Sequence, residues 1–202
     1  MRTLIFVLFL MGFIAANAET APTVGRKAAQ KYFDKAEDAA QSAYSGENLL
    51  MLHLGTYMNS QAYQWKLNGK QENTGKVNYG VTYLFDQWSG LDLNFRADFS
   101  EYNVDSSRAV KLSLMPLLTF PRAETRFPLY FGLGLGAGVF FQQIENESNL
   151  SLDYQLIAGA RFQELFETVG LFFEFGLKNH LHLLSDGQFN GTAFAAGLAF
   201  TF

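Results

Sequence analysis

Polar and apolar residues alternate along most of this chain with a period of two, the spacing of side chains on the two faces of a β-strand. The last segment, residues 194–202, shows the pattern clearly. Large apolar side chains occupy one parity and small or weakly polar ones the other: Phe194, Leu198, Phe200 and Phe202 against Ala193, Ala195, Gly197, Ala199 and Thr201. The pattern predicts a strand with one apolar face that ends on an aromatic residue.

The same alternation predicts eight strands after residue 48. They cover residues 49–60, 76–85, 90–102, 110–120, 129–142, 150–162, 169–180 and 190–202. Each of these segments is 10–14 residues long, near or slightly above the 9–11 residues that a tilted transmembrane strand needs. In the third segment, Leu93 and Phe95 share one parity, whereas Asp92, Arg96 and Asp98 share the other. Each predicted strand therefore has an apolar face and a mixed face.

The kinds of residue on the mixed face distinguish a membrane barrel from a soluble one. In a soluble barrel the apolar face points inward, whereas in a membrane barrel it points outward to lipid. Gly132, Gly134, Gly136 and Gly138 share the mixed face of the fifth segment. Because each glycine weakens a strand, four in alternation are expected where long neighbouring side chains, such as those of Arg96, Arg161 and Lys178, need room. The expected fold class is all-β, an eight-stranded antiparallel transmembrane up-and-down β-barrel over residues 49–202.

The predicted connections fall into two alternating sets. One set comprises residues 86–89, expected as a tight turn, 121–128 and 163–168. The other comprises residues 61–75, 103–109, 143–149 and 181–189, all of them polar and rich in Gly, Asn, Ser and Asp. With an even number of strands and both barrel ends in the periplasm, the second set forms the outer loops. Outer-membrane barrels carry their longer loops on that side.

The first 48 residues differ from the barrel region. Arg2, an apolar run over residues 4–14 and the small-x-small triplet Ala16-Asn17-Ala18 predict a cleavable signal peptide over residues 1–18. Residues 19–48 are predicted as a short periplasmic helix or linker. Within them, residues 26–44 (Arg26 to Tyr44) are rich in helix-forming Ala, Lys, Gln and Glu with a thin apolar stripe. A frayed linker remains the alternative to a helix there.

Composition excludes several kinds of site. The chain has no cysteine, which removes lipoprotein acylation, disulfides and thiolate metal sites. Loss of the signal peptide with Arg2 would leave 14 basic and 19 acidic residues, a net charge of −5. No basic patch is present, so no nucleic-acid partner is expected.

Two stretches resemble a known group of proteins. Tyr130-Phe-Gly-Leu-Gly-Leu-Gly-Ala-Gly138 resembles a glycine-alternating strand that is common in small outer-membrane barrels of the OmpA-like and OmpX-like superfamily. The segment 194–202 resembles their closing strand. The resemblance implies an outer-membrane location and recognition of the terminal Phe202 by the barrel insertion machinery. It implies no activity.

The segment around His180, His182, Ser185 and Asp186 carries the main candidate chemistry. Some small outer-membrane barrels are lipid A deacylases, in which a His and a Ser lie two apart on a strand with an acid downstream. Here His182 and Ser185 are three apart and on opposite parity, which weighs against a triad. His180 and His182 share a face as two metal ligands would, but no third ligand is evident. Surface-loop histidines are the expectation, with no catalytic, cofactor or metal residue assigned.

The remaining candidates are charged residues on the mixed face: Asp92, Arg96, Asp98, Lys111, Asp153, Arg161, Glu174 and Lys178. They could line a narrow channel, or they could form ion pairs that fill a lumen too narrow for open water. The second interpretation is favoured because eight strands leave room only for side chains. In it, Arg96, Arg161 and Lys178 are expected to pair with Asp98, Asp153 and Glu174 in some combination.

The sequence thus predicts a monomeric, non-enzymatic outer-membrane barrel without cofactors, in a structural or surface-interaction role. Its expected partners are outer-membrane lipids, lipopolysaccharide and the insertion machinery. A lipid-modifying enzyme and a narrow channel are the alternatives.

Overall fold

The computed structural model describes residues 48–65, 69–104, 107–125, 127–142, 144, 147–166 and 168–202. The predicted signal peptide and the predicted helix within residues 26–44 lie outside these residues. The barrel region forms a unit of its own. Nowhere in the described residues is there a helix long and apolar enough to cross a membrane.

Within the described residues, nine strands form one antiparallel sheet. They are β1 (Leu49–Tyr63), β2 (Lys70–Glu72), β3 (Gly75–Trp88), β4 (Leu91–Val104), β5 (Ser107–Phe120), β6 (Leu129–Phe140), β7 (Leu150–Phe166), β8 (Val169–His182) and β9 (Gln188–Thr201). Eight of them pair in chain order, and β9 pairs with β1 to close the sheet into an up-and-down barrel. The short β2 extends the sheet beyond the barrel by pairing with the end of β1.

The register fixes how the strands tilt. The paired residues can be followed from strand to strand around the barrel, starting at Leu52 on β1. The path passes Leu114 on β5 and Leu181 on β8 and reaches Gln188 on β9, which pairs with Tyr63 on β1. One circuit therefore returns to β1 eleven residues further along, one of which is the bulge residue Met58. Such a stagger requires strands inclined to the barrel axis, typically by about 35–45°.

Leu49 and Thr201, the first and last strand residues, pair with each other at one end of the barrel. We call this end the terminal end and the opposite one the distal end. The chain turns at the terminal end between β3 and β4, β5 and β6, and β7 and β8. The connections predicted as outer loops all lie at the distal end.

All eight predicted strands are present, and the differences are local. Most strands are longer than predicted, by up to four residues at an end, and β2 lies inside the stretch 61–75 that was predicted as a loop. The predicted turn at residues 86–89 is wrong in position, because Asp86 to Trp88 continue β3. The turn is Ser89-Gly90, with φ values of 47° and 86°. Positive φ at both central residues matches the twist of a two-residue hairpin.

The predicted division of the two faces is confirmed. On β4, Asp92 and Arg96 are fully buried inside the barrel, whereas Phe95 is 47% exposed on its outer wall. On β8, Phe173 and Phe175 are outside and Glu174 inside. Apolar side chains therefore surround the wall, and polar side chains fill the interior.

The glycines of β6 make room for the interior side chains of neighbouring strands. A Cβ at Gly132 would lie 2.7 Å from Ile157, and one at Gly138 would lie 2.6 Å from the Asp153 carboxylate. Crowding was predicted, but its predicted sources, Arg96, Arg161 and Lys178, are wrong. The nearest neighbours lie on the strands adjacent to β6, because a residue one strand away approaches more closely than one across the barrel.

Candidate functional site

The interior is built in layers, beginning at the terminal end. Asp92 accepts a hydrogen bond from the backbone N–H of Ala123 at 2.5 Å and faces Arg161 at 3.7 Å. Arg161 also donates to the Pro121 carbonyl at 2.8 Å and lies 4.5 Å from the centre of the Tyr130 ring. Asp92 and Arg161 thereby hold the connection between β5 and β6 over the terminal opening of the barrel.

The next layer contains a buried ion pair. Arg96 Nη2 donates to Glu174 Oε1 at 2.6 Å, and neither side chain is more than 3% exposed. Arg96 Nε donates to Thr82 Oγ1 at 2.7 Å, and the Tyr130 hydroxyl donates to the same Glu174 oxygen at 2.7 Å. The pair thus links β4 to β8 through the centre of the barrel, with additional hydrogen bonds that offset the cost of burying both charges.

Two further acids, Asp98 and Asp153, lie on the distal side of this pair. Asp98 accepts a hydrogen bond from Lys178 Nζ at 2.7 Å and lies 3.0 Å from His53 Nε2. Asp153 accepts from Lys111 Nζ at 3.0 Å and from Ser151 Oγ at 2.6 Å.

The predicted interior pairing is therefore present, with different partners in places. Lys111 forms an ion pair with Asp153. Arg161 pairs with Asp92 rather than with Asp98, Asp153 or Glu174. A cavity of about 20 Å³ remains beside these groups. It is large enough for roughly one water molecule.

An aromatic cluster fills the distal end of the barrel. Trp65 is fully buried and stacks on Phe189, with ring centres 5.8 Å apart, and on His180 at 5.7 Å. Tyr102 and Phe140 contact Trp65 edge-on at 5.6 and 6.3 Å. We call these five residues the aromatic cap. It covers the ion pairs on the side where the longer connections lie.

The expectation of surface-loop histidines is wrong. His180 and His182 are on β8 and are 1% and 5% exposed. His180 Nδ1 accepts a hydrogen bond from Lys111 Nζ at 2.9 Å, and His182 stacks on Phe140 with ring centres 5.0 Å apart. The strand extends two residues beyond the predicted end, so both imidazoles point into the barrel rather than into a loop.

A serine, a histidine and an acid lie close together at the distal end of the barrel. Their hydrogen bonds do not connect them in the order that a hydrolytic triad requires. Ser185 Oγ donates to Glu147 Oε2 at 2.5 Å, so the hydroxyl proton is directed to the acid. His182 Nδ1 donates to the Ser148 carbonyl at 2.7 Å, and its Nε2 has no hydrogen-bond partner among the described residues. In a Ser-His-acid triad, the serine hydroxyl donates its hydrogen bond to the imidazole that takes its proton. The acid near Ser185 is Glu147, upstream in the sequence, and Asp186 is exposed.

Metal binding by the two histidines also finds little support in the geometry. Their ring centres are 5.4 Å apart and nearly perpendicular. Within the described part of the chain, no group of three His, Asp or Glu side chains could hold a metal ion.

The interior residues missed by sequence reasoning include His53, Trp65 and Glu147. His53 had a signal, because it lies on the same parity of β1 as Leu49 and Met51, which are buried. Trp65 and Glu147 lie in stretches predicted as polar loops, where alternation no longer indicates direction.

Comparison with solved structures finds similar barrels. The Neisserial surface protein A (NspA) matches with a TM-score of 0.50 at 14% identity, over 78% of this chain and 100% of that one. Ail, the attachment invasion locus protein of Yersinia pestis, matches with the same TM-score, identity and coverage. The outer membrane enzyme PagL reaches a TM-score of 0.46 at 15% identity, over 73% of this chain and 97% of that one. The sequence matches no protein-family model and no curated protein. At these identities the likeness is one of fold, that of the small eight-stranded outer-membrane barrels.

Proposed function

We propose that this chain is an integral outer-membrane β-barrel protein with a structural or surface-interaction role. The observation that carries the proposal is the outer wall. Leu54, Phe131, Leu156 and Phe175 are each about half exposed or more, and they lie on four different strands. Soluble monomers rarely expose apolar patches larger than a few hundred Å². A lipid bilayer covers such a belt, with the distal end outward.

A sealed interior supports a non-conducting role over a channel. The ion pairs of Arg96 and Lys178 join β4 to β8 across the lumen, that of Lys111 joins β5 to β7, and the aromatic cap covers them. The cavity beside them, about 20 Å³ among the described residues, is far below a continuous water path. The proposed contribution of the interior is to hold the barrel in one closed form while the distal loops meet the environment.

The membrane assignment is tested by gel mobility of the folded and boiled protein, combined with fractionation of expressing cells. A closed barrel resists unfolding in cold detergent, so we expect different mobilities, and we expect the protein in the outer-membrane fraction as a monomer. The proposal fails if the unboiled protein runs as the boiled one and the protein is recovered outside the membrane. N-terminal sequencing of the recovered protein tests signal cleavage, with Glu19 expected first.

The channel and enzyme alternatives have separate tests. Planar bilayers containing the purified protein should show no stepwise conductance. Lipid A mass spectra should be the same with and without expression, because Ser185 is hydrogen-bonded to Glu147 rather than to His182. A new lipid A species that Ser185→Ala abolishes would establish the enzyme in place of the structural role.

A further inference from the structure

The outer wall has two adjoining hollows of different chemistry on strands β6 to β9 and β1. The first, which we call the amide notch, has a volume of about 350 Å³ and includes Asn59, Gln61, Asn179, Asn190 and Thr192 in its lining. The second, the acyl groove, has about 370 Å³ and includes Phe131, Ala158, Ala160, Phe173 and Phe194. Both volumes lie in the range of small-molecule sites.

The amide notch presents uncharged hydrogen-bonding groups. Asn179 Oδ1 accepts from the backbone N–H of Gly191 at 3.2 Å, and Gln61 Oε1 accepts from the Tyr63 hydroxyl at 2.6 Å. These bonds orient both amides while their NH₂ groups remain available. Among the described residues, the side chains of Asn59 and Asn190 make no hydrogen bond within the protein. None of the described residues that line the notch is charged, so their chemistry suits hydroxyl groups rather than phosphate.

The acyl groove is an apolar furrow with a flat floor. Ala158 and Ala160 of β7 form the floor, because each pairs with a large residue on either side. Phe131 of β6 forms one wall, and Phe173 and Phe175 of β8 form the other. Phe194 stacks on Phe173 with ring centres 6.4 Å apart and extends the second wall onto β9. The shape fits a flexible hydrocarbon chain lying between rings.

The two hollows approach each other along two strands. On β8, Leu177 of the notch is two residues from Phe175 of the groove; on β9, Thr192 is two residues from Phe194. Two residues of strand span roughly 6.8 Å. Because the strands are tilted, residues that pair with one another lie closer to the terminal end on β7 than on β9. A line drawn parallel to the barrel axis from the notch toward the terminal end therefore crosses onto β7 and passes over the groove.

The height of the notch matches the edge of a bilayer. Asn179 lies ten residues beyond Val169, the first residue of β8. With a rise of about 3.4 Å per residue and a tilt of about 40°, that is roughly 26 Å along the axis. The apolar band of outer-membrane barrels is about 25 Å tall. The notch therefore lies at the outer interface and the groove in the hydrocarbon.

We propose that these two neighbouring hollows together bind one lipid of the outer leaflet, with its uncharged, hydroxyl-rich sugar headgroup in the amide notch and an acyl chain in the acyl groove. The proposal rests on the outer-membrane location proposed above. It goes further by naming a site and a ligand chemistry.

The experiment compares two amphiphiles with the same twelve-carbon chain, dodecyl maltoside and dodecylphosphocholine. Each is added to the barrel folded in amine-oxide micelles, and NMR follows the side-chain amide signals of Asn179 and Asn190. We expect saturable shifts with the maltoside at low mole fraction and only weak, linear shifts with the phosphocholine. Asn103 is the matched control, because it is exposed near the distal end of β4 and lines neither hollow.

Two variants localise the two halves of the ligand. Asn190→Leu removes an amide from the notch, and Ala160→Leu fills the groove; each should weaken maltoside saturation about tenfold. Asn103→Leu and Ala137→Leu, an exposed outward Ala on β6, should leave it unchanged. Equal responses to both amphiphiles, or full saturation in both site variants, would overturn the proposed site. A chain that shows no heat-modifiable mobility before these titrations refutes the membrane proposal instead.

Discussion

Replacing Glu174 by Gln tests the energetics of the sealed interior. The substitution keeps the size of the side chain and an oxygen that can accept from Arg96 and from the Tyr130 hydroxyl. It removes the negative charge that faces a guanidinium with a fully buried side chain at 2.6 Å. Breaking a buried ion pair by removing one partner costs about 3–5 kcal/mol. Because the hydrogen bonds can persist, we expect a loss near the lower end of that range.

The assay is reversible urea unfolding of the barrel in lipid vesicles, followed by tryptophan fluorescence. Glu101→Gln is the matched control: Glu101 lies on β4 and pairs at 2.8 Å with Arg108, whose side chain is 64% exposed. An exposed pair contributes at most about 1 kcal/mol, so this variant should remain close to the parent. The double variant Arg96→Met with Glu174→Leu should recover most of the loss, because it leaves no unpaired charge.

Two results would refute this reasoning. If Glu174→Gln and Glu101→Gln lower the free energy of unfolding by the same small amount, the interior is hydrated enough to screen the charge of Arg96. If Glu174→Gln leaves stability intact and opens a measurable conductance, the interior is a gated water path rather than a sealed core.

Three further predictions concern the wall, the cap and the terminus. Phe173→Arg should lower the free energy of unfolding in vesicles by about 2–4 kcal/mol because a charge enters hydrocarbon; Asn103→Arg is its control, and equal small effects would contradict a lipid-facing wall. Trp65→Ala should cost about 3–5 kcal/mol in the same assay yet open no conductance, because the ion pairs beneath the cap remain. Deleting Phe202 should strongly reduce outer-membrane yield in cells, measured by fractionation, while refolding into detergent stays nearly normal. Unchanged yield would show that insertion does not depend on this aromatic residue.

The strands could be predicted because alternation is a local property. Between bulges, whether a side chain points inward depends on its parity, and every strand from β1 to β9 except β2 shows that parity in at least part of its length. The bulge at Met58 reverses the inward parity on β1. The three residues of β2 are too short for a period to appear. They exist because the end of β1 projects beyond the barrel and offers free backbone groups for pairing.

Interior partners could not be predicted in the same way. Parity places Arg96 and Glu174 inside the barrel, but their contact joins β4 to β8 across the lumen. Which residues meet there depends on the stagger of the closed sheet, a property of all eight strand pairings together. Arg161 was therefore expected among Asp98, Asp153 and Glu174, although it faces Asp92.

The aromatic cap was missed for a different physical reason. Trp65 follows the end of β1, where Gln64 adopts a positive φ of 61° and turns the chain. Its direction is then set by the ring surfaces of His180 and Phe189, which lie on strands more than a hundred residues away. A single aromatic residue in a polar stretch carries no periodic signal, so only the closed barrel shows that it is inside.

Among the described residues, the space inside the barrel is much smaller than the space in the hollows of the outer wall. The interior cavity beside Lys111 and Asp153 holds about 20 Å³, whereas the amide notch and the acyl groove on the wall each offer more than ten times that volume. Ligand recognition that required the lumen would have to break buried ion pairs at several kcal/mol each. Recognition on the wall breaks none, because the amides of the notch are already at the surface. In the proposed function, selectivity therefore belongs to the outer wall and the distal loops, where a change of ligand need not disturb the fold.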